Sequence, residues 1–305
     1  MSNLIDLILV FILVALVSGN NLSVSSGPII SGRVVRRRTG VLITILGYAS
    51  GFVLEGGILR SGIGRLIPLG GTLIPVVLVI SIVVFLIAHM KRVPESLSIT
   101  FISAFIGVGI AYGTLDVGYI AEIVLFWIIA AAVSLAVAFF ALRAVQKALY
   151  RDKVWRSMGT VRVLLVLLSF VTAFTLGANT IGAVASVLQP AWYVYPAIIL
   201  SIILGSILLS GGVLRRIGDE IITLRYANAL VSQLVAAAFV EFATLLSIPL
   251  SNTQMLTTTI YGTGLSYKER LFLRRPAVQI ATVWLGTAVF SIVAAYAAAH
   301  IILMT

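Results

Sequence analysis

Apolar runs broken by short polar stretches make up almost the whole of this chain, and the polar stretches recur in one order in its two halves. Pro94, Ser96, Ser98, Gly107 and Gly109 have the same mutual spacing as Pro249, Ser251, Thr253, Gly262 and Gly264. Gly19-Asn-Asn-Leu-Ser23 is mirrored by Gly177-Ala-Asn-Thr-Ile181, and Gly56-Gly-Ile-Leu-Arg60 by Gly211-Gly-Val-Leu-Arg215. Several spaced matches kept in order indicate an internal duplication, which no single motif would.

Of the 305 residues, 60% are apolar and 10% charged, against about a quarter charged in soluble domains. This balance describes an integral membrane protein. The formal charge of +11 sits in the interruptions between apolar runs, where positive-inside topology accounts for it and no nucleic acid is needed. Cysteine is absent, which removes thiolate metal sites, disulfides and cysteine nucleophiles. The first apolar stretch, Leu4 to Val17, resembles a signal sequence but carries Asp6 in place of a basic start, so it reads as a retained membrane segment.

At 1.5 Å per residue that stretch covers roughly 21 Å of a ~30 Å hydrocarbon core. The polar run Gly19 to Pro28 is therefore expected inside the membrane as non-helical backbone, which is tolerated only against protein or a water-filled cavity. Arg33, Arg36, Arg37 and Arg38 place the next loop in the cytoplasm and the N-terminus outside. Apolar segments at about 40–54, 72–90, 94–113 and 119–142 complete a first repeat, 1–142. A basic cytoplasmic linker, 143–158, with Arg143, Lys147, Arg151, Lys153 and Arg156, leads to a second repeat, 159–305. Where the first repeat has its arginines, the second has Gln189-Pro-Ala-Trp-Tyr-Val-Tyr195, uncharged and aromatic as on an outer interface. Corresponding loops thus face opposite sides. The expected fold is an all-α integral membrane protein of two inverted-topology repeats, about five spans each, with broken or re-entrant helices. It is expected as a multi-pass protein of the cell membrane with both termini extracellular, surrounded by lipid, and a homodimer is open to it.

Hydroxyls and amides are concentrated at Pro249 to Gly264. A proline at the first helical position presets φ and removes a donor that would be unpaired anyway, so a helix is expected to start at Pro249 with Ser251 and Thr253 in its first turn. Free N–H groups, the partial positive charge of a helix start and nearby hydroxyl donors suit a tetrahedral oxyanion.

At these residues the chain resembles the PiT family of inorganic phosphate transporters. Gly19-Asn20-Asn21 and Gly177-Ala178-Asn179-Thr180 are similar to its Gly-Ala-Asn-Asp motif. Pro94-Glu-Ser-Leu-Ser-Ile99 and Pro249-Leu-Ser-Asn-Thr-Gln254 are similar to its Pro-x-Ser-Thr-Thr-His motif. The resemblance covers nearly the whole chain. It implies membrane transport of phosphate or a similar oxyanion, usually coupled to a cation, with motif residues lining the path. The family's aspartate is replaced by Asn21 and Thr180, and its histidine by Ile99 and Gln254. The carboxylates through which the family usually couples a cation are thereby missing, and with them one means of preferring phosphate over sulfate, since only phosphate keeps a proton that a carboxylate can accept.

The candidate substrate-binding residues are accordingly Asn20, Ser23, Ser96, Ser98, Asn179, Ser251, Asn252, Thr253 and Gln254. Ion coupling falls to positions Asn21 and Thr180, or to Glu95 and Glu241, the latter in mid-span. Arg60 and Arg215 are read as interfacial residues that also attract anions at opposite mouths. Gly47-x-x-x-Gly51 and Gly109-x-x-x-Gly113 permit close helix contact. No metal and no cofactor beyond a coupling Na⁺ or H⁺ is expected. The leading reading is a secondary phosphate transporter, a symporter working by alternating access. The alternatives are a sulfate or related oxyanion permease of the same fold and an uncoupled anion channel. No metalloprotease, nucleophile-elbow or P-loop motif occurs in the sequence, so no enzyme is expected.

Overall fold

The computed structural model of the chain describes residues 4–66, 73–91, 95–149, 154–209, 226–266 and 274–304. Lipid offers no hydrogen-bond partner to a peptide group, so a chain this apolar satisfies its backbone within helices. Among the described residues there are helices and no strands, and seven helices are long and apolar enough to cross a bilayer. The first repeat comprises α1 (Leu4–Ser31), α2 (Arg37–Glu55), α3 (Leu59–Leu66), α4 (Ile74–Lys91), α5 (Leu97–Tyr112) and α6 (Val117–Leu149). The second comprises α7 (Val154–Leu176), which runs through a π turn at Gly177–Ile181 into α8 (Gly182–Ala185), then α9 (Val194–Leu208), α10 (Tyr226–Leu245), α11 (Asn252–Leu265) and α12 (Arg274–Met304).

Helix α1 corrects the expectation of non-helical backbone at Gly19 to Pro28. It continues unbroken through that run, and its polar residues are buried against other helices. Their hydroxyls remain satisfied: Ser23 donates to Asn20 O at 3.0 Å, and Ser25 to Leu22 O at 3.3 Å. Back-bonding to the preceding turn lets serine stay in a membrane helix without breaking it. The equivalent stretch of the second repeat does deform, as the π turn.

Inversion of the repeats follows from helix directions. α1 and α2 form an antiparallel pair, since Ser26 meets Gly40 and Thr44 on the returning helix of the hairpin. Gly47, Gly51 and Gly56 of the first repeat meet Ala173, Phe174 and Gly182 in that order, so α2 runs parallel to α7. Helix α7 therefore opposes α1, its counterpart. The same seam recurs with the repeats exchanged: Ser201 donates to Phe11 O, and Gly205 and Leu209 meet Ala15 and Gly19.

Glycine is needed along both seams because backbones touch there. A Cβ on Gly51 would stand 1.9 Å from Phe174 O, and one on Gly177 would stand 2.1 Å from Tyr48 O. Gly51→Ala is expected to cost about 3 kcal/mol by forcing α2 and α7 apart. Thermal unfolding in detergent checks this; an unchanged melting temperature would contradict the seam. The second expected glycine pair behaves differently. Gly109 faces Leu115 within its own turn, and Gly113, at φ 68°, ends α5 in the left-handed conformation.

Helices α5 and α11 have 16 and 14 residues, about 24 and 21 Å, short of a ~30 Å core. Each is followed along the chain by a long helix, α6 of 33 residues and α12 of 31. Each also packs on the other repeat's long helix: Gly107 against Ile292 and Tyr296 of α12, Gly262 against Leu135 and Ala138 of α6. This exchange locks the repeats together and brings the two helix starts face to face. Pro94, Arg151, Lys153 and the match at Gly211 to Arg215 lie outside the described residues.

Candidate functional site

The site is built on two serine caps. Ser96 and Ser251 both have extended backbone, and each side chain accepts the N–H three residues on, from Ile99 at 3.3 Å and Gln254 at 3.2 Å. Short hydroxyl side chains favour that position because they satisfy a donor the helix leaves open. The helix start is therefore Asn252, with Pro249 ahead of it in the approach turn, correcting the expectation of a start at Pro249. The cap sets the boundary, and the proline only stiffens the segment leading to it.

The two caps touch. Ser96 Oγ donates to Ser251 Oγ at 2.7 Å, and Thr253 Oγ1 donates to the Glu95 carbonyl at 3.4 Å. Two helix N-termini from opposite repeats thus converge, and both caps are about 99% and 98% buried, with relative exposures of 1% and 2%. The partial positive ends of two helices add where they meet.

Glu95, 1% exposed, lies one residue before the first cap. Its Oε1 accepts from Ser96 N–H at 3.0 Å, from Thr287 Oγ1 of α12 at 3.2 Å and from Thr100 Oγ1 at 3.4 Å. In the other repeat the equivalent residue is Leu250. Its N–H donates instead to Asn179 Oδ1 at 3.0 Å, while Asn179 Nδ2 donates to Thr244 Oγ1 at 2.9 Å and to Ile248 O at 3.1 Å. All of Asn179's principal hydrogen-bond groups are thus engaged in holding the turn that carries Ser251. Trp127 of α6 steadies the same turn by donating Nε1–H to Pro249 O at 2.8 Å. Asn179→Ala leaves the Leu250 N–H, the Ile248 carbonyl and a buried hydroxyl short of partners, and is expected to lower stability by about 2–3 kcal/mol. Thermal unfolding compared with wild type measures this.

Other expected residues differ in what they do. Asn20 and Asn252, both 3% exposed, have side-chain amides whose oxygen and nitrogen are buried without a partner, as is Gln254 Oε1. Buried amides are normally paired, so these atoms are available to a guest, and helix α1 does pack on α11. Ser23, Asn21, Ser98 and Thr180 are buried as well. Glu241 stands apart from the caps, in a groove of α7 and α10 lined by Val171, Phe174, Thr175 and Leu234. Arg60 donates to the carbonyls of Ser186 at 3.1 Å and Leu188 at 2.6 Å, and to Gln189 Oε1 at 3.3 Å, so it closes the end of α8. Its expected partner Arg215 lies outside the described residues.

Sequence reasoning passed over Thr287, Trp127 and Gln233. Thr287 and Trp127 act across the repeats through single hydrogen bonds, for which the sequence carries no signal. Gln233 did carry one, an amide in the middle of the apolar run that also holds Glu241.

The chain matches the phosphate transporter family twice, over residues 17–161 and 151–295. It is 24% identical over 262 residues to a protein named as a phosphate permease in Methanocaldococcus jannaschii, covering 86% of this chain and 85% of the relative. It is 21% identical over 278 residues to a sulfate permease of Bacillus subtilis, covering 87% and 78%. A solved structure, of a sodium-dependent phosphate transporter, shares its fold with a TM-score of 0.83 at 16% identity, over 98% of both chains.

Proposed function

The chain belongs to the phosphate transporter family, and from that premise we propose that it is a secondary transporter of inorganic phosphate. It works as a cation-coupled symporter, by alternating access of its two inverted repeats around the paired helix starts. The observation that carries this reading is the contact of Ser96 with Ser251. It places two helix N-termini, with uncharged donors, where an oxyanion would be stabilised by both repeats at once. Ser96, Ser98, Ser251 and Thr253 supply hydroxyls, and Asn252, Gln254 and Asn20 supply amides; Ser23 continues the lining along α1. Asn179 acts by positioning the Ser251 cap.

An anion at the caps sits near the Glu95 carboxylate, and two like charges in a poorly solvated place repel strongly. A cation entering with the anion offsets this, which gives Glu95 the coupling role that Asn21 and Thr180, both uncharged, lack. Glu241 shares none of the hydrogen bonds at the caps. The arginine-rich turn between α1 and α2 faces the cytoplasm by the positive-inside rule, so both termini lie outside.

Sulfate is the second reading. The motif positions Asn21, Ile99, Thr180 and Gln254 are uncharged, and a sulfate permease is among the relatives. Binding of labelled phosphate to the detergent-solubilised protein, with sulfate as competitor, tests the choice. Phosphate is expected to bind saturably, with sulfate the weaker competitor. Displacement by sulfate at equal or lower concentration would move the assignment to sulfate, and absence of any saturable binding would remove it.

A further inference from the structure

Away from the caps, two carboxyls from different repeats meet beside the π turn. Glu55 ends α2 of the first repeat, and Glu241 lies in α10 of the second. Gly51 and Gly56 of α2 meet Phe174 and Gly182, on either side of the π turn, and Glu241 stands in the groove lined by Phe174 and Thr175. There the carboxyls of Glu55 and Glu241 come within hydrogen-bonding reach of each other. Lipid-facing side chains flank them, Leu54 and Phe242 being 71% and 55% exposed.

Among the described residues, nothing nearby supplies either carboxyl with a proton or a positive charge. Thr175 Oγ1 is committed to Thr172 O at 3.0 Å. Arg60 is taken up by carbonyls at the end of α8, and Arg65 pairs with Glu122 of α6 at 3.6 Å. Arg162 of α7 lies more than two turns before the groove. Tyr48 of α2 is buried in the core, and the Tyr195 ring of α9 packs on Phe52. Glu55 is the one charged group that acts on Glu241. The Oε2 atom of each carboxyl is buried without a hydrogen-bond partner. Ionised carboxylates only accept, so two in contact away from water both repel and leave those oxygens unsatisfied. A single proton between them turns one into a donor for the other.

The other repeat lacks this pair. Glu55 precedes Gly56 as Ser210 precedes Gly211, and Leu86 stands at the place of Glu241 when Ser96 is laid on Ser251. A feature kept in one repeat alone is not demanded by the shared fold. Glu241 is also one helical turn before Thr244, whose hydroxyl accepts from Asn179, the residue that holds the turn carrying Ser251. We infer that Glu55 and Glu241 form a proton-binding site, sharing one proton in a carboxyl–carboxylate bridge that clasps the first repeat to the second. Loss of the proton leaves like charges in contact, which drives α2 and α10 apart next to the π turn and loosens the support of the Ser251 cap. Opening of this clasp during transport rests on the alternating-access reading above; the existence of the shared proton does not.

The test is thermal unfolding of the full chain in detergent between about pH 5 and pH 9, with no oxyanion present. Glutamates of the unfolded chain release their protons near pH ~4.3. A proton kept only by the native state therefore stabilises it at the acid end of this range, and that stabilisation fades as pH rises. The wild-type melting temperature is expected to fall by several degrees toward pH 9. In Glu241→Gln the amide donates permanently to Glu55, so most of that fall should disappear and the variant should melt above wild type at pH 9. Glu55→Gln is expected to do the same from the other side, and if one variant does not fold the other decides. A fall as steep as that of wild type in every folded variant would overturn the shared proton, and so would a wild-type melting temperature that ignores pH. Phosphate-induced stabilisation of wild type, read separately at fixed pH, reports on the anion site, so the two readings fail independently.

Discussion

Ser96→Ala combined with Ser251→Ala is expected to weaken phosphate binding by roughly 100-fold. Each hydroxyl lies at the mouth of a helix start, and a hydrogen bond to a charged group contributes about 1.5–3 kcal/mol. Losing two such bonds removes about 3 kcal/mol, or two decades of affinity. The same change also deletes two helix caps, each contributing about 1 kcal/mol to stability. Binding and unfolding must therefore be measured on the same preparation. Single substitutions are expected to give intermediate losses, because either hydroxyl alone still offers one donor. A double variant that folds and binds phosphate as tightly as wild type would take the caps out of the anion site.

Glu95→Gln is expected to separate binding from coupling. Glutamine keeps an oxygen for the donors Ser96 N–H, Thr100 and Thr287, so the packing of α5 on α12 survives, while the negative charge is gone. Without that charge the anion no longer needs a compensating cation. Exchange of internal for external phosphate should persist, and accumulation driven by a cation gradient should fall to background. Retained uphill accumulation in this variant would move the coupling role elsewhere.

The duplication, the inversion and the pairing of the proline-led segments were legible in the sequence because each rests on local residue types repeated at fixed spacing. The basic turn and its aromatic counterpart sit at matching places in the two repeats, and that is enough to specify opposed orientations. What local pattern could not supply was how a polar stretch is satisfied. Gly19 to Pro28 contains asparagines, serines, glycines and a proline, a composition that usually breaks a helix. Here α1 stays helical because its hydroxyls bond backward and its faces are covered by α2, α4, α7 and α9. The cap at Ser251 lies two residues beyond the expected helix start at Pro249, because proline and serine both mark helix beginnings and hydrogen bonding decides between them. Asn179 and Glu95 show the same limit. Both stand at motif positions or beside them, yet one is consumed in holding a turn while the other links three helices, distinctions that only tertiary contacts create.

The measurement closest to the central claim is uptake of labelled phosphate into proteoliposomes under separately imposed Na⁺ and proton gradients, with sulfate as competitor. Inward accumulation above the equilibrium level, driven by one of those cations and abolished in the Ser96→Ala, Ser251→Ala double variant, is the predicted result. Equilibration of phosphate without accumulation under either gradient would mean a passive pathway in place of a coupled one. Failure of both anions to enter would mean that the converging helix starts serve some other guest.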